Sequence, residues 1–222
     1  MTERKSSQPW TIAVVLALLV WLTAAIGVGA TSAVNQAGQP PVILFSFVTV
    51  PIVLGVAVYG VSAGFRAWTA RLNLTWLVGL HLWRFVGLGF VLAWFLGALP
   101  GGFGIPEGLG DVAAAAGALA LLPSLRRGTV SRKRLLIWNT FGLIDLLSAL
   151  TMGVLYSNTN VGLLSSGGVT TELMVTFPVS LIPTFLVPLF ILLQLLTFAR
   201  IARLERAQEG PPPRILADPH RI

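Results

Sequence analysis

Four ionisable residues interrupt stretches that are otherwise almost free of charge: His81, Arg84, Asp111 and Asp145. Their chemistry is limited but definite. A guanidinium holds an anionic group or neutralises a carboxylate, and a carboxylate or imidazole accepts a proton. In hydrocarbon, an Asp or Arg at a helix centre costs about 2.5–3.5 kcal/mol, so such residues turn toward a bundle interior or toward water. Arg84 lies ten residues into an apolar segment that begins at Leu74, and Asp145 lies ten residues into one that begins at Leu135. Helical rise puts both about 15 Å deep. At equal depth, an ion pair is the simplest escape from two uncompensated charges. His81 precedes Arg84 by one turn on the same face, and Gly87 follows by one turn, leaving room for a close neighbour. On the other segment Gly142, Asp145, Ser148 and Ala149 form a small polar strip flanked by Asn139.

The same residues have a plainer reading. A buried Arg–Asp pair can fix helix register and bind nothing, and a lone buried histidine is ordinarily a packed one. A haem held by two histidines needs a second histidine at membrane depth, and His220 sits in the tail, so no cofactor is expected. The absence of cysteine removes thiolate metal sites and disulfides, and no metal site is expected. Lys5 and Lys133 lie outside the apolar segments, which excludes retinal held as a Schiff base.

The surroundings must be membrane. Hydrophobic residues make up 55% of the 222, charged residues 10%, and mean hydropathy is +0.83; a water-exposed surface needs roughly 25% charge. From Ser6 to Phe65 there is no charge at all. Six segments approach the length of about 20 residues that a bilayer core requires: 10–30, 42–64, 74–99, 108–124, 135–156 and 176–199. The expected fold is therefore all-α, a six-helix transmembrane bundle, with tails at 1–9 and 200–222. The fourth segment is the shortest, and its Ala/Gly-rich centre suits burial between other helices.

The net charge of +7 does not indicate nucleic acid. Apart from Arg84, every Lys and Arg falls in the two tails or in the second and fourth loops, and the first, third and fifth loops carry none. That alternation predicts both termini in the cytoplasm. The 10–30 segment is too long for a signal-peptide core and is read as a retained helix. Trp10, Trp68 and Trp138 are expected as interface anchors. Pro178, Pro183 and Pro188 should bend the sixth helix, with Ser180 and Thr184 meeting freed backbone groups. The loop 157–175 either covers the outer mouth or moves freely.

Residues 100–108 contain four glycines and two prolines, which predicts a shaped outer turn. Asp111 would then cap the first turn of the fourth helix, about 9 Å above Asp145. Gly108-Leu109-Gly110-Asp111 resembles the Gly-x-Gly-Asp motif of intramembrane aspartyl proteases, which implies a second catalytic aspartate in contact. In that family the other aspartate comes earlier in the chain, whereas Asp145 comes later, and no Pro-Ala-Leu motif is present. Across 74–152, Arg84-x-x-Gly87, the Pro/Gly-rich run ending Gly110-Asp111, and Trp138-Asn139-x-x-Gly142-x-x-Asp145 resemble a family of uncharacterised bacterial membrane proteins. That resemblance groups Arg84, Asp111, Asn139 and Asp145 and implies no activity.

The reading is a bacterial inner-membrane protein, not evidently an enzyme, that handles a small solute or protons at Arg84 and Asp145, with His81, Asn139 and Asp111 around them. The lipid bilayer and a small-molecule ligand are its expected partners. A scaffold or accessory subunit without a ligand is the alternative, and the aspartyl protease is the third.

Overall fold

The computed structural model describes residues 8–165 and 168–208. Arg4, Lys5, Arg214, His220 and Arg221 lie outside the described residues. What is described is helical, with no strand. Six helices are long and apolar enough to cross a membrane: Pro9–Ala30, Val42–Val61, Leu74–Phe95, Gly101–Arg126, Arg132–Leu155 and Ile182–Arg203.

The first two spans, α1 (Gln8–Ala30) and α2 (Val42–Val61), carry no Lys, Arg, Asp or Glu. Both are largely uncovered, and residues such as Leu16, Val20 and Leu54 face outward. Apolar side chains on an outer surface suit lipid and not water. A short helix, α3 (Ala63–Thr69), follows, with Ser62 accepting from the Phe65 amide at 3.1 Å as its N-cap.

The third span changes character midway. It runs as α4 (Leu74–Gly79), a 3-10 stretch Leu80–Val86, then α5 (Gly87–Phe95). The tighter stretch carries both His81 and Arg84, and with three residues per turn their side chains are stacked along one edge. The span ends at Phe95, with Gly97 at φ +72°. Gly97 donates to the Trp94 carbonyl at 2.8 Å and Ala98 to the Ala93 carbonyl at 2.8 Å. That pair closes a helix C-terminus around a left-handed residue, where glycine avoids the Cβ clash.

The fourth span, α6, begins at Gly101, immediately after Pro100, and runs to Arg126. This corrects the expected turn at 100–108 and the expected start at 108. The glycines there serve packing. A Cβ at Gly104 would lie 2.9 Å from the Phe90 carbonyl oxygen, and one at Gly108 would lie 2.7 Å from the Gly87 carbonyl oxygen. Four-residue spacing of glycines lets two membrane helices approach to backbone contact. The Ala-rich centre is buried as expected, with Ala114, Ala115 and Ala118 fully covered.

The fifth span, α7 (Arg132–Leu155), lies along α6. Trp138 is 6% exposed and donates to the Ala114 carbonyl at 2.8 Å, so it is a core residue and not an interface anchor. Trp10 and Trp68 both pack against Phe65.

The sixth span begins as a π-helical turn, Ile182–Leu186, and continues as α8 (Val187–Gln208), past the expected end at 199. Pro178 precedes it. Thr184 Oγ1 donates to the Ser180 carbonyl at 2.6 Å, but that carbonyl already accepts from the Thr184 amide at 3.2 Å and the Ser180 hydroxyl has no partner, so neither side chain meets a carbonyl freed by proline as expected. Pro188 has no N–H to offer the Thr184 carbonyl four residues back, and the Trp21 indole of α1 supplies one at 3.1 Å.

Apolar clusters mark the two ends. Val78, Leu121, Leu122, Leu135 and Ile201 pack together at the arginine-rich end. There Arg66 donates to the Tyr59 carbonyl at 3.0 Å, and Arg200 bonds the Ala70 carbonyl, which meets helix C-terminal groups with positive charge. Phe90, Leu99, Phe103 and Met174 pack at the opposite end.

Candidate functional site

Between those ends the third, fourth and fifth spans converge on one guanidinium. Arg84 is 1% exposed, and its side chain is fully engaged. Nε donates to Asp111 Oδ1 at 2.6 Å, Nη1 donates to the Gly142 carbonyl at 3.1 Å, and Nη2 pairs with Asp145 Oδ2. The expected Arg84–Asp145 pair is present, and Asp111 joins it on equal terms.

The position of Asp111 is the main correction. With α6 starting at Gly101, Asp111 lies ten residues inside, about 15 Å deep by helical rise. It is not a first-turn cap and not 9 Å above Asp145. Two glycines make this possible. A Cβ on Gly110 would collide with the Asp145 carboxylate, so only glycine lets α7 bring that carboxylate in. Gly87 does the same for Asp111 on the α5 side, since a Cβ there would lie 2.5 Å from the Asp111 Cβ.

Glu107, one helical turn before Asp111, belongs to the same assembly. It is 2% exposed and accepts from Ser148 Oγ at 2.8 Å. Ser148 in turn lies one turn beyond Asp145. The site thus has two facing strips, Glu107 and Asp111 on α6 against Gly142, Asp145 and Ser148 on α7. Its signal in the sequence was the four-residue spacing of Glu107 and Asp111, masked by reading that stretch as a turn.

His81 and Asn139 are buried toward the arginine-rich side of Arg84 but make no hydrogen bond with it. The His81 ring lies edge-on to Trp138 and tilted against Phe190, each with centroids 5.2 Å apart. Neither of its nitrogens has a hydrogen-bond partner. Asn139 Nδ2 donates to the Gln194 carbonyl at 3.0 Å. Gln194, fully buried on α8, escaped the sequence reading; both of its side-chain polar atoms are unpartnered. Its amide nitrogen and Arg84 Nη1 flank the same point above Gly142. Three further polar groups therefore adjoin the charged cluster on its arginine-rich side.

On the opposite side lies a cavity of about 800 Å3, counting the part open to solvent. Asp111 is at its floor. Its walls are apolar, from Phe90, Phe103, Leu146, Leu150 and Val187, and its rim is polar, from Asn35, Asn158, Thr159 and Glu172. The rim is made by two loops held together, with Gly38 donating to the Asn158 carbonyl at 2.9 Å. Thr171 closes the fifth-loop side by donating through Oγ1 to the Gly153 carbonyl at 2.6 Å. The described part of 157–175 thus borders the mouth.

Asp111 and Asp145 both spend an oxygen on the guanidinium between them, which is not the arrangement of two carboxylates sharing a proton. Among the described residues no group of three His, Asp or Glu is disposed to hold a metal ion.

A family profile described as a domain of unknown function, DUF8737, matches residues 40–202. No curated protein and no solved structure matches the chain. The matched segment begins just before α2 and takes in Arg84, Glu107, Asp111, Asp145 and Gln194. By that match over most of its length, the chain belongs to the DUF8737 family, a family of unknown function whose matched segment here comprises five membrane-spanning helices around a buried guanidinium.

Proposed function

We propose that this membrane protein handles protons at the Arg84 cluster and couples them to a small solute entering the cavity above it. One observation carries the reading: Asp111 and Asp145 share one guanidinium, a third buried carboxylate, Glu107, lies one turn from Asp111 against Ser148, and Asp111 lines a cavity. Fully ionised, the group would hold two negative charges without a counterion in a medium where a single buried ion costs several kcal/mol. Protons or an entering cation relieve that excess. His81, Asn139 and Gln194, with five unpartnered polar atoms among them, continue the polar column toward the arginine-rich end. Acidic groups and neutral polar side chains in series are the parts from which membrane proton paths are made.

The charge alternation of the loops supports both termini on the cytoplasmic side of a bacterial cytoplasmic membrane, with the cavity opening outward.

A pH jump tests the central claim. Proteoliposomes adsorbed on a sensing electrode should give a transient charge movement that is absent from empty liposomes and lost in Asp111→Asn and Asp145→Asn. A wild-type signal no larger than that of empty liposomes would overturn it.

The second reading is a scaffold, and Arg84 itself favours it: its donors reach α6 and α7 from the third span, which pins three helices in register. The variant Arg84→Met with Asp111→Asn and Asp145→Leu separates the two. A scaffold keeps its role with an apolar substitute of similar volume, whereas a proton site does not.

A further inference from the structure

The cavity also says what kind of solute it would take. We infer that it is a binding site for a hydrophobic organic cation, an amine or amidine, whose charge rests against Asp111. The inference deepens the reading above and rests on it for the role of the site.

Charge is the first argument. Among the described residues lining the cavity, the charged ones are Asp111 and Glu172, and both are acidic. No lysine, arginine or histidine is among those described residues. Arg84 is spent on its own partners behind Asp111, and with Asp145 on the same guanidinium and Glu107 one turn away, the floor is left short of positive charge. An anionic solute would add to that excess; a cation reduces it.

The second argument is hydrogen-bond polarity. Asp111 retains some exposure, its side chain being 14% accessible. At the rim, Asn35 turns its Nδ2 to Glu172 Oε1 at 3.2 Å and leaves Oδ1 without a partner. Floor and rim both carry carboxylate acceptors, on Asp111 and Glu172, which calls for N–H donors on the occupant.

The walls complete the description. Between floor and rim, Phe90, Phe103, Leu146, Leu150 and Val187 offer apolar and aromatic surface. Such walls suit an apolar body, and aromatic faces tolerate a cation close by. A small hydrated ion would lose its water there with nothing to replace it.

Ethidium is a suitable probe, being cationic, planar and an N–H donor, with fluorescence that rises in apolar surroundings. Purified protein in lipid nanodiscs should bind it saturably, above the level of empty nanodiscs. Binding should weaken roughly tenfold in Asp111→Asn, as expected for losing one close charge partner, and in Ala149→Phe, which fills the cavity from α7. Glu172→Gln, at the exposed rim, should weaken it less and serves if Asp111→Asn fails to fold. The anionic dye 8-anilinonaphthalene-1-sulfonate should not compete. Ethidium binding that is absent, that survives both Ala149→Phe and the charge variants, or that the anionic dye displaces equally well overturns the inference. A pH-jump signal with no ethidium binding sinks the cation site alone; saturable ethidium binding with no pH-jump signal sinks the proton reading and leaves the cation site standing.

Discussion

Gly87 and Asp111 meet across α5 and α6 with no room for another atom: a Cβ on Gly87 would stand 2.5 Å from the Asp111 Cβ and 2.6 Å from the Gly108 carbonyl oxygen. This contact sets how far Arg84, one 3-10 turn earlier, must reach to its carboxylates. Gly87→Ala should therefore lower stability by about 1–3 kcal/mol through overpacking. Gly89→Ala, with nothing within 4 Å of its new Cβ, should leave stability unchanged or raise it. Thermal unfolding of the two variants in one detergent compares them, and equal melting temperatures would contradict the close-packed interface.

Removing the guanidinium alone should be severe. Arg84→Met leaves Asp111 and Asp145 buried without a counter-charge, for a cost of about 3–5 kcal/mol. Adding Asp145→Leu and Asp111→Asn to that variant should recover most of the loss. A mutant cycle on unfolding free energy measures the coupling, and strictly additive losses would mean that the ion pairs seen here do not govern stability.

Trp21 offers a smaller, cleaner test. Its indole N–H is the donor to the Thr184 carbonyl that Pro188 cannot serve. Trp21→Phe keeps the ring packing against Phe185 and deletes the donor, so it should cost about 1 kcal/mol. A melting temperature equal to that of the wild type would show that the carbonyl finds another donor.

Gln194 separates stability from function. Its buried amide has no side-chain partner, so Gln194→Leu should hold or raise the melting temperature. In the same variant the pH-jump charge movement should slow, because the polar column behind Arg84 is interrupted. An unchanged transient would remove Gln194 from the proton path.

The proposed orientation is directly accessible because the chain contains no cysteine. Thr129→Cys, beyond the end of α6, and Val169→Cys, in the fifth loop, are both at exposed positions. In intact cells an impermeant maleimide should label only the second. Labelling of Thr129→Cys from outside reverses the assignment.

Much of this architecture was legible in the linear chain because a membrane simplifies the problem. With no water to satisfy backbone groups, a long apolar run has to be a helix, so the approximate spans, the buried Ala-rich centre and the Arg84–Asp145 pair could all be read from length, composition and depth. Misreadings came where a residue type has two uses. Glycine and proline between 100 and 108 suit a turn in water, yet in α6 the glycines serve helix contact. Trp138 has the look of an interface residue but hydrogen-bonds inside the core.

Sequence by itself therefore determined the apolar spans and the depth of Arg84 and Asp145, since both follow from counting residues along helices of known rise. Tertiary structure alone decided that Asp111 and Glu107 stand beside Asp145, that Gln194 completes the inner polar group, and that a cavity ends on Asp111. Those facts depend on how the faces of different helices are turned toward one another. That rotation is set by which glycines allow backbones to touch, and no count along a single helix contains it.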